Sequence, residues 1–181
     1  MRIRVWDAFV RLLHWTLAGA VATAWISGHW APTDFDAVHH TAGYVALAAV
    51  ALRVVWGVIG PRHARLASFV RRPAEVLSYA RALREGREPR YIGHNPLGGW
   101  AAVMLWASAA AVAATGWLYT TDWLWGYAWL EALHLALGWL VAALVAGHLA
   151  GVVMTSWRHR ENLVAAMISG RKRAPEGRDV D

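Results

Sequence analysis

Four long apolar segments, joined by connections that are alternately arginine-rich and arginine-free, constrain this chain more than any other feature. They run from about Leu12 to Gly28, Ala37 to Ile59, Leu97 to Tyr119 and Leu130 to Thr155. Each is near or above the roughly 20 residues that a helix needs to cross a bilayer. The expected fold is all-α, an integral membrane bundle of four transmembrane helices. Residues 1–160 would form the membrane domain and 161–181 a tail.

Composition agrees. The chain is 57% hydrophobic and 17% charged, and a soluble domain of this size would carry more charge. Its thirteen tryptophans suit a membrane protein, because tryptophan gathers at the membrane–water interface. With no cysteine, disulfides, thiolate-held iron–sulfur clusters and covalent haem attachment through CxxCH are excluded.

The net charge of +6 does not point to nucleic acid, because of where the charge lies. Arg2, Arg4 and Arg11 precede the first span. Eight arginines from Arg62 to Arg90 occupy the connection 60–96, and Arg158, Arg160, Arg171, Lys172, Arg173 and Arg178 follow the fourth span. The connection around Asp34 and Asp36 and the one around Asp122 and Glu131 have no lysine or arginine. The positive-inside rule then puts both termini and residues 60–96 in the cytoplasm, in a bacterial inner membrane. Trp15, Trp25 and Trp30 mark the first span as a permanent anchor rather than a cleaved signal. Within 60–96, Pro73 followed by Ala74, Val76, Leu77, Tyr79, Ala80 and Leu83 predicts a short amphipathic helix, on the inner leaflet or solvated and docked on other parts of the protein. Beyond about Gly170 the tail reads as disordered.

Histidine carries the chemistry. His134 and His148 are fourteen residues apart in one span, which in a helix is a rise of about 21 Å with the faces within about 40°. Both imidazoles point the same way at two depths. His14 falls near the inner end of the first span, and His39 and His40 near the outer end of the second. His14 with His148 can form an inner site, and His39 or His40 with His134 an outer one. Arg53 lies fourteen residues from His39 and thirteen from His40, so only His39 shares its face, and the spacing favours His39. Ionisable residues inside a membrane are functional by default. Four imidazoles at two depths suit the axial ligation of two haems, with Arg53 placed to pair with a propionate of the inner one or to snorkel to the inner headgroups. The third span has no histidine and would only pack and shield. Gly43, Gly138, Gly147 and Gly151 leave room near the candidate ligands. His29 reads as interfacial, and His63, His94 and His159 as solvated. A zinc site would need ligands converging on one point, and there is no HExxH, Walker or GxGxxG motif.

Several stretches together resemble the prokaryotic b561-type, nickel–iron-hydrogenase-type cytochrome b subunits. They are Val5-Trp6-Asp7 leading to Arg11-Leu12-Leu13-His14-Trp15, then His39-His40-Thr41-Ala42-Gly43-Tyr44 leading to Arg53-Val54-Val55-Trp56-Gly57 and Gly60. Tyr91-Ile92-Gly93-His94-Asn95-Pro96-Leu97-Gly98, His134 and His148 complete the pattern. The resemblance implies a four-helix bundle holding two b haems, each with two histidines, the fourth helix supplying one ligand to each. The family's second-helix ligand, four residues before a glycine, matches His39. The resemblance also implies electron transfer between a partner redox protein and membrane quinone.

The expected function is therefore transmembrane electron transfer through two haem b groups. A periplasmic partner, such as a cytochrome c or a hydrogenase or reductase subunit, would meet the outer haem, and quinone the inner. His94 or Asn95 are candidate quinone contacts. Two alternatives are a superoxide oxidase that reduces ubiquinone and a haem-free membrane scaffold. The first would want a basic outer funnel to steer anions, and the outer connections are acidic.

Overall fold

The computed structural model describes residues 1–30 and 36–181; Asp34 lies outside them. Among the described residues four helices are long and apolar enough to cross a membrane: α1 (Ala8–Trp30), α2 (Asp36–Ile59), α5 (Pro96–Tyr119) and α6 (Ala128–Arg158). Between the second and third of these lie α3 (Leu66–Phe69) and α4 (Pro73–Arg84), and α7 (Leu163–Ser169) follows α6. Two short strands, β1 (Arg2–Arg4) and β2 (Arg171–Arg173), pair antiparallel with Arg2 opposite Arg173.

Helix starts follow capping chemistry, which satisfies orphan N–H groups. The Asp7 carboxylate accepts from the N–H groups of Phe9 and Val10 at 2.9 and 3.0 Å, and so starts α1. Asn95 accepts from Gly98 N–H at 2.7 Å, with Pro96 as the first residue of α5. Pro73 holds the equivalent place in α4. Outward positions stay apolar: Val58, Val153 and Trp157 are 67%, 69% and 79% exposed. In water such faces would drive aggregation, whereas lipid solvates them.

The chain forms two compact units. One comprises Met1–Arg11, Val54–Val103 and Ala146–Asp181, the other Leu12–Arg53 and Met104–Val145. The first centres on Val5, Trp6, Val10, Ala64 and Ile92, with Ile3, Trp56 and Met167 packed against them. Pairing of β1 with β2 holds the segments before α1 and after α7 on one side of a membrane, as an even number of crossings requires.

This unit corrects the reading of residues beyond Gly170 as a disordered tail, and of 161–181 as separate from the body. Lys172 is 4% exposed, and its Nζ donates to the Tyr91 carbonyl at 3.1 Å. Arg90 pairs with Glu161 at 2.9 Å and with Asp179, and also donates to the Arg173 carbonyl. Val180 N–H donates to Arg90 O, and Ile92 N–H to Val180 O, both at 2.8 Å. Burial alone would raise the Glu161 carboxyl. Hydrogen bonds from Arg90 and the Arg173 backbone, with the Lys172 charge nearby, outweigh burial and hold it below the usual carboxylate range. Composition counts these charges as solvated; the fold pairs them instead. His63, expected to be solvated, reaches Asp181 at 3.0 Å. His159 is half-buried.

Candidate haem-ligand site

In the second unit all four spanning helices contribute to one cluster. The His39 ring, on α2, points to α1, where its Nδ1–H donates to the Ala24 carbonyl at 2.9 Å. The His134 ring, on α6, points to α5, where its Nδ1–H donates to the Val112 carbonyl at 3.0 Å. Thr115 Oγ1 lies 3.2 Å from the same nitrogen. Ring centres of His39 and His134 are 5.9 Å apart, with planes at 76°.

Two glycines make these positions possible. A Cβ on Gly28 would come within 2.9 Å of His39 Cε1 and Nδ1, and one on Gly116 within 2.9 Å of His134 Cε1. Real Cβ atoms do not approach so closely, so α1 and α5 each leave out a side chain where an imidazole lies.

The hydrogen bonds decide the tautomer. A carbonyl only accepts, so Nδ1 carries the proton and a neutral ring keeps its lone pair on Nε2. That pattern prepares a metal ligand, because the partner of the other ring nitrogen fixes ring orientation and basicity. A metal held between two histidines would set the spacing of their rings. Two metal–nitrogen bonds of about 2 Å, plus half of each ring, put the centres roughly 6 Å apart. The observed 5.9 Å fits. One turn beyond His39, a Cβ on Gly43 would meet nothing within 4 Å, so that flank is open. Among the described residues no group of three or more His, Cys, Asp or Glu could hold a metal; His39 and His134 supply two nitrogen donors, the number a haem held by two histidines would need.

His40 turns away, to Asp36 at 3.5 Å. Arg53 is buried, 5% exposed, with its guanidinium 4.7 Å from the Trp106 ring centre. An interior position over an indole face differs from snorkelling to headgroups. His29 stacks on Trp25 at 3.9 Å and meets Trp139 edge-on. His14 is half-buried on α1 in the same unit. His148 is half-buried on α6 in the other unit, and a Cβ on either Gly147 or Gly151 would meet nothing within 4 Å. Of the candidate quinone contacts, Asn95 caps α5, and half-buried His94 packs between Trp6 and Phe69 at 4.9 and 4.6 Å.

The third span does more than pack and shield. It supplies the Val112 carbonyl, the Thr115 hydroxyl and the gap at Gly116. Thr115 is a polar residue well inside an apolar span and lies close to a glycine, which is the signal that could have singled it out.

The family described as "Prokaryotic cytochrome b561" matches residues 5–170. Two relatives carry the name "Probable Ni/Fe-hydrogenase B-type cytochrome subunit". The one from Cupriavidus necator is 24% identical, over 92% of this chain and 85% of its own length. The one from Bradyrhizobium diazoefficiens is 26% identical, over 94% of this chain and 85% of its own. No solved structure matches the chain.

Proposed function

This chain belongs to the prokaryotic cytochrome b561 family, and we propose that it carries electrons across the membrane between a periplasmic redox protein and quinone, using two b haems. The family is one of b-type membrane cytochromes in electron transport, which sets the class of cofactor; the number of haems and the partners are our reading. His39 and His134 would hold the outer haem. His14 and His148 would hold the inner, on the strength of the helix register in the sequence. Arg53 is the candidate partner for a propionate, since a cation kept inside a span needs a counter-charge or a π face. A haem bound there supplies reversible one-electron chemistry at iron.

The chain's own residues set the conditions for that chemistry. His39 and His134 would hold the haem between them, and a haem held by two histidines would supply electron transfer rather than oxygen binding. The carbonyls of Ala24 and Val112 keep each Nδ1 protonated, so each Nε2 stays available. Burial among apolar helices excludes water and limits reorganisation.

The observation that carries the proposal is the 5.9 Å His39–His134 pair with both Nδ1 atoms occupied by carbonyls. Among partners we favour a hydrogenase, because both relatives are named as subunits of one. The arginine asymmetry supports cytoplasmic termini and an inner-membrane location. A superoxide-oxidising role is disfavoured by the acids Asp36, Asp122 and Glu131 on the side that would receive the anion.

The test is a haem-to-protein ratio with reduced-minus-oxidised spectra on detergent-purified protein. Two low-spin b haems per chain is the expected result. One haem per chain would overturn the paired scheme. No Soret band after growth with ample haem would leave the scaffold reading.

A further inference from the structure

A pocket of about 440 Å³ lies beside the end of α6, wholly within the unit that contains the strand ribbon. Six arginines line it, Arg87, Arg90, Arg158, Arg160, Arg173 and Arg178, against the carboxylates of Glu88 and Asp179. Both carboxylates are already committed. Glu88 pairs with Arg158 at 2.7 Å, and Asp179 pairs with Arg90 while accepting from Glu176 N–H at 3.0 Å. Arg87 pairs with Glu85, outside the pocket. Among the described residues no ion pair holds Arg160, Arg173 or Arg178. With six arginines against two lining carboxylates, the pocket carries net positive charge, even though Arg90 also pairs with Glu161 and the Arg173 charge acts on Asp179.

A second observation comes from the backbone. The end of α6 closes with two reversed bonds, from Arg160 N–H to Trp157 O at 3.3 Å and from Glu161 N–H to Ser156 O at 3.0 Å. This closure puts one residue in the left-handed region, where glycine is usual. Here that residue is Arg160, with φ 48°, and it is the one non-glycine residue with positive φ among those described. Glycine would relieve the strain and remove a pocket cation. Strained positions gather where a side chain has a task.

We propose that this pocket binds the phosphate of an anionic phospholipid headgroup, gripped by Arg160, Arg173 and Arg178. Guanidinium forks match phosphate oxygens in a bidentate way. The lipid, rather than free phosphate, is the source because Arg158 ends a membrane-length helix, so the pocket sits where headgroups lie. The assignment does not depend on haem.

The test compares thermal midpoints of the full chain, as purified, in nanodiscs of phosphatidylcholine alone and with added phosphatidylglycerol. Wild type should gain several degrees with the anionic lipid. Arg160→Gly should raise the midpoint in phosphatidylcholine, by releasing strain, yet lose most of the phosphatidylglycerol gain. Arg173→Gln/Arg178→Gln should also lose it, while Arg171→Gln, outside the pocket, should keep it. An equal gain in the pocket variants and wild type would overturn the proposal, as would no gain in wild type. A full gain from millimolar inorganic phosphate in phosphatidylcholine would overturn the lipid as the source.

Discussion

The ring centres of His39 and His134 lie 5.9 Å apart with planes at 76°, and each Nδ1 is tied to the backbone of a neighbouring helix. His39 is anchored to α1 and His134 to α5. The pair therefore reports on all four spanning helices at once, and disturbing either anchor should register at the other ring.

Replacing the ligands separates His39 from His40. His39→Ala and His134→Ala should each abolish one haem, halving the haem-to-protein ratio. His40→Ala should keep both, because that ring is directed at Asp36. Pyridine haemochrome assay on purified variants reads the difference.

The glycines give a subtler test. Gly28→Ala and Gly116→Ala drive a methyl into His39 and His134 respectively. Each should lower haem occupancy or broaden the low-spin signal, although alanine is otherwise the better helix former by roughly 0.5–1 kcal/mol. Gly43→Leu should also lower occupancy, for a different reason. It meets no protein atom near its Cβ, so its loss would measure space that the cofactor needs. Electron paramagnetic resonance of the oxidised protein distinguishes a tilted ligand from an absent haem.

Thr115→Val removes an oxygen 3.2 Å from His134 Nδ1 while keeping shape. Losing a hydrogen-bond acceptor makes the imidazole a poorer donor to iron. One haem midpoint should rise, on the order of tens of millivolts, the size of one hydrogen bond for a one-electron couple. Redox titration should show the other midpoint unmoved.

The Arg90–Glu161 pair predicts an acid limit. Glu161 titrates lower in the fold than in the unfolded chain. Its stabilisation is therefore fully present above the ordinary carboxyl range and lost as pH falls through the depressed folded value. Thermal midpoints should decline below about pH 4.5 in wild type, and less steeply in Glu161→Gln. Arg90→Ala, which takes the shared guanidinium from the half-buried Glu161 and Asp179 while Lys172 stays near Glu161, should cost roughly 1–3 kcal/mol at neutral pH.

Hydropathy alone made the four spans legible, but not their ends. The first was expected from Leu12 and begins at Ala8, because the start is set by the Asp7 cap rather than by hydrophobicity. Helix register and depth put His39 and His134 at one level in the sequence, and the structure has their rings adjacent. The anchors were not legible. A carbonyl such as that of Val112 leaves no mark in a sequence, and nothing in the residue order says which helix an imidazole turns toward. The tail was misread because Arg90, Glu161 and Lys172 are far apart in sequence, and only the fold shows that they neutralise one another.

The ribbon between Arg2–Arg4 and Arg171–Arg173 has a consequence for biosynthesis. The first strand is made before the four spanning helices described here, and its partner appears only after them. Throughout that interval Val5 and Trp6, which end in a shared core with Ile92, lack part of their packing. A chain threaded with one helix missing would carry its two strands to opposite sides of the bilayer, where they could never meet. Closing the ribbon thus requires an even number of crossings between its two strands.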